Sequence, residues 1–175
     1  MTTTAEQMKK RTDAKIRYAQ VHLDALRTHS GRGSRDDFEC ASQEATLFHL
    51  VGAKDALLQE LNIHLGCGLK ASKVRNAASL KQALGGRVVP ALDEIETLEA
   101  DATHWLSLPT RLRHHFTHRG DVPRRFFIGP REHEVGVADP HDGSLRDRDV
   151  VEEMDEWITQ MHDLVQKVRQ SVDMA

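Results

Sequence analysis

The chain has 175 residues with a formal net charge of −3, which excludes a uniformly basic coat for nucleic acids, and it contains 11 histidines. The length suits one domain spanning residues 1–175, because single hydrophobic cores commonly take up about 100 to 200 residues. The sequence has no run of ~18 apolar residues for a membrane span, no apolar secretory segment at its amino terminus and no CxxC pair, so we expect a cytoplasmic protein without a disulfide scaffold.

Two long amphipathic helices are predicted first. One spans about residues 5–27, and its apolar residues recur at steps of three and four: Ala14, Tyr18, Val21 and Ala25. The apolar side is widened by Ile16, Leu23 and Leu26. After a connector rich in glycine, serine and charged residues, the second spans about residues 42–65, with Ser42 as its N-cap. Its leucines and valine keep helical spacing until Gly66, which indicates the end of the helix.

Three shorter helices are predicted next, at about residues 72–84, 90–105 and 110–119. Pro90 opens the middle one, because proline is favoured in the first turn of a helix. Pro109 is expected to separate the last two, and Gly120 to end the final one.

The pattern then changes from helix to strand. Residues 124–128 and 134–137, with a turn between them, predict a small β-hairpin. Residues 139–143 (Asp-Pro-His-Asp-Gly) predict a second turn.

The last predicted helix spans about residues 150–172, with Asp149 as its N-cap. Its apolar stripe alternates steps of three and four: Val151, Met154, Ile158, Met161, Val165, Val168 and Val172. Such a stripe fits either the core of a bundle or the seam of a dimer. The predicted fold class is therefore all-α, an antiparallel bundle of four to five helices with a small β-hairpin before the C-terminal helix.

Candidate functional residues are densest between residues 111 and 131, a segment that we call the basic island. It contains a single acid, Asp121, among these basic and titratable residues: Arg111, Arg113, His114, His115, His118, Arg119, Arg124, Arg125 and Arg131. Residues 139–156, by contrast, carry eight acids and two arginines. Because an anionic ligand responds to the local field, the basic island predicts a site for phosphate groups.

Arginine and histidine together supply the chemistry of RNA cleavage. A guanidinium group can hold a phosphate through two hydrogen bonds, and free imidazole, with a pKa of about 6.5, exchanges a proton near neutral pH. Cleavage of a phosphodiester through a ribose 2′-hydroxyl needs both functions. Arg113 and His118 are five residues apart and do not share a strict helical face, whereas Arg111 and His118, seven apart, do.

The segment Arg113-His-His-Phe-Thr-His118, near the end of a short helix, resembles the Arg-x(4–6)-His motif of the HEPN superfamily. In that superfamily the pair commonly forms the active site of a metal-independent endoribonuclease, and two protomers usually bring their motifs together across a dimer interface. Many members act in toxin–antitoxin or antiviral defence systems.

The resemblance implies catalytic roles for Arg113 and His118 and a supporting role for His114, at a position where the family often has asparagine. It also implies RNA as the substrate, no cofactor, a homodimer and an antitoxin or other acidic protein as partner. The residues expected to bind the RNA backbone are Arg111, which is also a substitute for the motif arginine, Arg119, Arg124 and Arg125.

Two alternatives use the same segment differently. His114 and His118 have HxxxH spacing and, with His49, resemble the ligands of DinB-like metal-binding four-helix bundles, which implies a divalent metal and a hydrolase or thiol-dependent transferase. Against this, Gly120 ends the helix early, and the surrounding arginines repel a cation. The other alternative is a non-catalytic helical binding module whose basic face engages an acidic partner or nucleic acid.

Overall fold

The computed structural model describes residues 4–30, 36–118, 120, 122–127, 129–131 and 134–173. The helices within this part of the chain are α1 (Ala5–Thr28), α2 (Asp37–His64), α3 (Ala77–Ala83), α4 (Pro90–Ala100), α5 (Ser107–His118) and α6 (Val150–Asp173). The strands are β1 (Arg124–Phe126), β2 (Val135–Ala138) and β3 (Leu145–Asp149).

The mostly helical fold with a small sheet before the C-terminal helix is confirmed. The described residues form six α-helices, one for each helical segment predicted from the sequence, rather than the four to five expected for the bundle.

Helix α1 buries one part of the predicted apolar side, the part that contains Ile16, Leu23 and Leu26. Tyr18 and Val21 are 50% and 62% exposed. The buried residues of α1 are instead Thr12, Ile16, Ala19, Leu23 and Leu26. Both stripes have helical spacing, and the larger aliphatic side chains occupy the one that packs into the core because they remove more apolar surface from water.

Helix α2 begins earlier than predicted. The carboxylate of Asp36 accepts a hydrogen bond from the backbone N–H of Glu39 at 2.8 Å and so caps the helix. The predicted N-cap, Ser42, is buried inside the helix. Because α2 crosses the centre of the bundle, it is buried along most of its length.

The break between α4 and α5 comes from Asp101, not from Pro109. The carboxylate of Asp101 accepts hydrogen bonds from the backbone N–H and the hydroxyl of Thr103 at 2.8 and 2.7 Å, which turns the chain away from α4. Pro109 lies in the first turn of α5, where its missing N–H breaks no helical hydrogen bond.

The predicted hairpin is formed by β1 and β2, which pair antiparallel. The third strand, β3, was not predicted. It pairs with the other edge of β2 across the predicted turn at residues 139–143. Gly136 in β2 has no side chain, and a Cβ there would lie 2.7 Å from Leu145 and 3.0 Å from Phe127. The sheet therefore packs side chains closely over its central strand.

Helix α6 completes the core. Its predicted stripe is buried against the rest of the same chain, so the choice left open between bundle core and dimer seam is decided for the core. The predicted N-cap is confirmed, because Asp149 accepts a hydrogen bond from the backbone N–H of Val151 at 3.0 Å. Its other oxygen accepts a hydrogen bond from the backbone N–H of Val135 at 3.2 Å, which joins the helix to the sheet.

None of the described helices is both long and apolar enough to span a membrane.

A buried ion-pair network joins α1, α2 and α6. The guanidinium of Arg169 donates to both carboxylate oxygens of Glu60, at 2.8 and 2.9 Å, and to Asp13 at 2.7 Å. It also donates to the backbone carbonyl of Lys9 at 3.2 Å, and the hydroxyl of Thr12 donates to Glu60 at 3.1 Å. Every long helix of the bundle thus contributes to one buried polar cluster.

We expect Arg169→Leu to lower the free energy of unfolding by about 3–5 kcal/mol, because Glu60 would stay buried without its cation. The matched control is Lys167→Ala on the same helix, which removes the exposed ion pair to Glu94 and should cost less than about 1 kcal/mol. Urea unfolding followed by circular dichroism measures both. Equal losses in the two variants would contradict this account of the network.

Candidate functional site

Helix α5 places the histidines of the basic island at the surface. Leu108, Leu112 and Phe116 recur at steps of four and pack toward the core, the first two fully buried. The opposite side of the helix therefore exposes His114 and His118 to solvent. Because α5 packs along α2, its remaining side faces that helix.

His114 and His118 form a pair on the exposed side of α5. Their ring centroids are 4.8 Å apart and the rings are tilted by 58°. Residues four apart on a helix lie one above the other, so the HxxxH spacing itself brings the two imidazoles together.

A cleft of roughly 500 Å³ lies between this part of α5 and the turn that follows β2. The residues that line it are Thr110, Arg111, His114, His115, Pro140 and His141. His141 was not among the functional residues predicted from the sequence. The turn that carries His141 was predicted, but the surface that this turn faces depends on how the sheet docks against α5.

Arg111 and Asp139 anchor that turn to α5. The Nε of Arg111 donates to one carboxylate oxygen of Asp139 at 3.2 Å, and its Nη2 donates to the other. The backbone N–H of His141 donates to the same carboxylate at 2.9 Å. Burial alone would raise the pKa of Asp139, but these hydrogen bonds and the charge of Arg111 outweigh burial and hold its pKa below the ordinary value.

Arg113 points toward α2 rather than toward His118. Its guanidinium donates to the carboxylate of Asp55 at 3.1 Å and lies 5.3 Å from the centroid of the Phe48 ring. Five residues along a helix correspond to a rotation of about 140°, so Arg113 and His118 lie on different sides of α5. One chain by itself does not bring the two motif residues together.

Arg124 was predicted to bind the RNA backbone, but its side chain is buried in the structure. Its side chain is only 1% exposed, and it donates to Glu39 and to the sulfur of Cys40, both at 3.2 Å. A guanidinium placed there serves to join β1 to the start of α2 and does not face a ligand. Arg125 remains exposed and has no ion pair within the described residues, whereas Arg119 lies outside them.

The acidic segment at residues 139–156 neutralises much of the basic island by direct contact. Besides the pair of Arg111 and Asp139, Arg131 donates to Asp147 at 2.8 Å and to Glu134 at 2.8 Å. The sheet folds one segment back onto the other, and so the positive field expected from the sequence is reduced. Among the described residues of the basic island, His114, His118 and Arg125 keep their side chains exposed to solvent.

The residues of the metal-binding alternative do not converge. Within the part of the chain that the structure describes, no three His, Cys, Asp or Glu side chains are arranged to hold a metal ion. His49 instead contacts Lys15 and His22 on α1. The set of His49, His114 and His118 is therefore not a preformed metal site in one chain.

The whole domain matches a single protein family. The chain belongs to the family of unknown function DUF6586, which it matches over residues 7–174. This range includes α5, the turn after β2 and all the residues that line the histidine cleft. No curated protein and no solved structure matches the chain.

The lowered pKa of Asp139 leads to a pH-dependent prediction. We expect Asp139→Asn to cost about 1–3 kcal/mol at neutral pH, because Arg111 loses its charged acceptor. The ordinary carboxyl pKa is about 3.9, so the stability supplied by this pair should be fully present above about pH 5. It should be lost only as the pH falls through the lower folded pKa.

Urea unfolding of the wild type and of Asp139→Asn between neutral and acidic pH measures this difference. The control, Asp147→Asn, removes an exposed partner of Arg131 and should cost less than about 1 kcal/mol. A difference between wild type and Asp139→Asn that grows below about pH 4 would contradict the stated direction.

Proposed function

We propose that this protein is a metal-independent endoribonuclease whose active site is at the exposed end of α5. The observation that carries the proposal is the pair of His114 and His118, with their rings 4.8 Å apart in solvent. His115 and His141 lie in the adjoining cleft. Two imidazoles within reach of one phosphodiester provide a base and an acid without a metal ion. The resemblance of the segment to the HEPN motif supports the same reaction.

The proposed reaction begins at the ribose 2′-hydroxyl. Neutral His118 takes the 2′ proton as the oxygen attacks phosphorus, and the bond from phosphorus to the 5′-oxygen breaks. Protonated His114 gives its proton to that leaving oxygen. The products are a 2′,3′-cyclic phosphate and a free 5′-hydroxyl. His118 then releases the 2′ proton to water and His114 takes a proton from water, which returns both residues to their starting states.

Arg113 is the proposed phosphate clamp. Its present partner, Asp55, holds it through an exposed ion pair at 3.1 Å, and exposed pairs contribute only about 0–1 kcal/mol. A phosphate can therefore compete for the guanidinium. Because Arg113 and His118 lie on different sides of α5, the proposal includes a homodimer in which the α5 ends of two protomers face one another. Arg125 and Arg119 would contact the RNA backbone near this site.

The biological setting follows from the HEPN resemblance alone. It implies a toxin–antitoxin or antiviral defence system with an acidic antitoxin as partner. The proposed cytoplasmic location comes instead from the sequence, which has no apolar run for a membrane span and no apolar secretory segment. An acidic partner fits the exposed histidines and Arg125 through charge complementarity.

A second candidate function is a non-catalytic module that binds nucleic acid or an acidic protein. The observation that favours it is the pairing of the island arginines with carboxylates: Arg111, Arg113 and Arg131 are ion-paired, and Arg124 is buried. A surface of this kind binds without offering a strong clamp for the transition state.

We expect purified protein to cut RNA in the presence of EDTA. His118→Ala and His114→Ala should each reduce the rate at least about 100-fold, because each removes a proton-transfer group. Arg113→Ala should also slow cleavage, through loss of the clamp. Gel analysis of a labelled RNA, with the cyclic phosphate identified by mass spectrometry, measures rate and product.

The controls remove the same residue types elsewhere. His162→Ala changes an exposed histidine of α6, and Arg87→Ala changes an exposed arginine of the loop before α4. Both should cut at the wild-type rate. RNA binding without any cleavage would support the non-catalytic module, and equal rates in all variants would refute the active site.

A further inference from the structure

The outer surface of α1 and α2 carries a cluster of aromatic and cationic side chains, of which only Arg113 has a role in the proposed cleavage reaction. We call it the platform, and its members are Lys15, Tyr18, His22, Phe48, His49 and Arg113. It lies beside the proposed active site, because Arg113 belongs to α5 and reaches across to α2.

His49 is the centre of the platform. Its ring centroid lies 5.3 Å from that of Tyr18, 5.5 Å from that of His22 and 5.4 Å from that of Phe48. The His22 ring stacks on it, whereas the Tyr18 and Phe48 rings meet it edge to face. Four rings from two helices thus form one continuous surface.

Two cations flank the ring of Phe48. The ammonium of Lys15 lies 4.8 Å from the ring centroid, and the guanidinium of Arg113 lies 5.3 Å from it. The Nζ of Lys15 also lies 3.3 Å from Nδ1 of His49. The Lys15 side chain passes Gly52 of α2, where a Cβ would lie 3.4 Å from it, at van der Waals distance.

The apolar part of the platform is open to solvent. Phe48 is 46% exposed, and Tyr18 and its neighbour Val21 are exposed by half or more. Exposed aromatic rings are costly in water, and rings grouped with cations are typical of surfaces that bind nucleic-acid strands.

The charges of the platform are poorly compensated. Burial, Arg11 and Arg113 all lower the pKa of Lys15, and Asp55 is the acid that opposes them. Burial, Lys15 and His22 lower the pKa of His49 in the same direction. An anion bound here would relieve the repulsion between these groups.

We infer that the platform binds single-stranded RNA, with bases stacked on Phe48 and Tyr18 and phosphates held by Lys15 and Arg113. The inference rests on the proposed function, which makes RNA the substrate, and it adds that the substrate is unpaired. Bases within a duplex have no free faces to stack on side chains, whereas an extended strand exposes both bases and phosphates. A strand on the platform would reach α5 at Arg113.

A second copy of this chain is a less suitable occupant. Across a two-fold axis the platform would meet its own image, so that Lys15 and Arg113 would approach their own copies. Within the described residues, Asp55 is the carboxylate that pairs with Arg113 and acts on Lys15. A polyanion satisfies the same charges without that repulsion.

The test is a binding measurement on the full chain carrying His118→Ala, so that RNA stays intact. The probe is a fluorescein-labelled oligo-uridine of about 20 nucleotides, long enough to exceed the usual site sizes. Adding Phe48→Ala or Tyr18→Ala should raise Kd about 5- to 100-fold through loss of stacking. The matched control is Phe38→Ala, which removes an aromatic ring of α2 that is equally exposed at 47% and that no cation covers within the described residues.

Salt dependence and strandedness give further readouts. Lys15→Gln should reduce the slope of log Kd against log salt concentration by about 0.7, the value for one phosphate contact on a single strand. A duplex of the same length should bind at least about 10-fold more weakly, because its bases are not free to stack. Equal effects of Phe38→Ala and Phe48→Ala, or equal affinity for the duplex, would overturn the inference.

The two proposals fail separately. Single-strand binding that Phe48→Ala weakens, in a protein that cuts no RNA, would retain the platform and refute the nuclease. Cleavage by the wild type, with unchanged Kd in Phe48→Ala, Tyr18→Ala and Lys15→Gln, would retain the nuclease and refute the platform.

Discussion

The buried guanidinium of Arg169 is the constraint on which the arrangement of the bundle depends. A cation in the core must be met by carboxylates with good geometry, and here Glu60 of α2 and Asp13 of α1 provide them. These groups meet only when the three helices are positioned along their axes within a narrow range. The network therefore favours one position of the helices, which apolar packing alone would define less closely. That alignment fixes where α5 docks on α2, and with it the positions of the histidine pair and of the platform.

Local charge is organised by folding rather than by composition. A basic island and an acidic segment lie next to each other in the sequence, and the sheet brings them into contact through Arg111 with Asp139 and Arg131 with Asp147. The surplus of positive charge expected at the end of α5 is therefore small. The fold instead brings Arg113 of α5 close to Lys15 and Arg11 of α1, which are distant from it in sequence.

The fold and the site were predictable to different degrees. Local signals sufficed for the long helices and for the cap at Asp149, because helical spacing and capping act within a few residues. Strand β3 was missed because Leu145 to Asp149 is nearly all charged, and such a segment becomes a strand only through its hydrogen bonds to β2. The burial of Arg124 depended on Glu39, which is distant in sequence and adjacent only after folding.

The sequence by itself determined the mostly helical class, the order of the main elements and the pairing of His114 with His118, since residues four apart on a helix must be neighbours. Only the tertiary structure decided which stripe of α1 is buried, which arginines are neutralised and that His141 faces the histidine cleft. It also grouped Tyr18, Phe48 and Lys15 on one surface. Helical spacing is a local property, whereas burial and ion pairing depend on partners from distant segments, whose positions are set by packing.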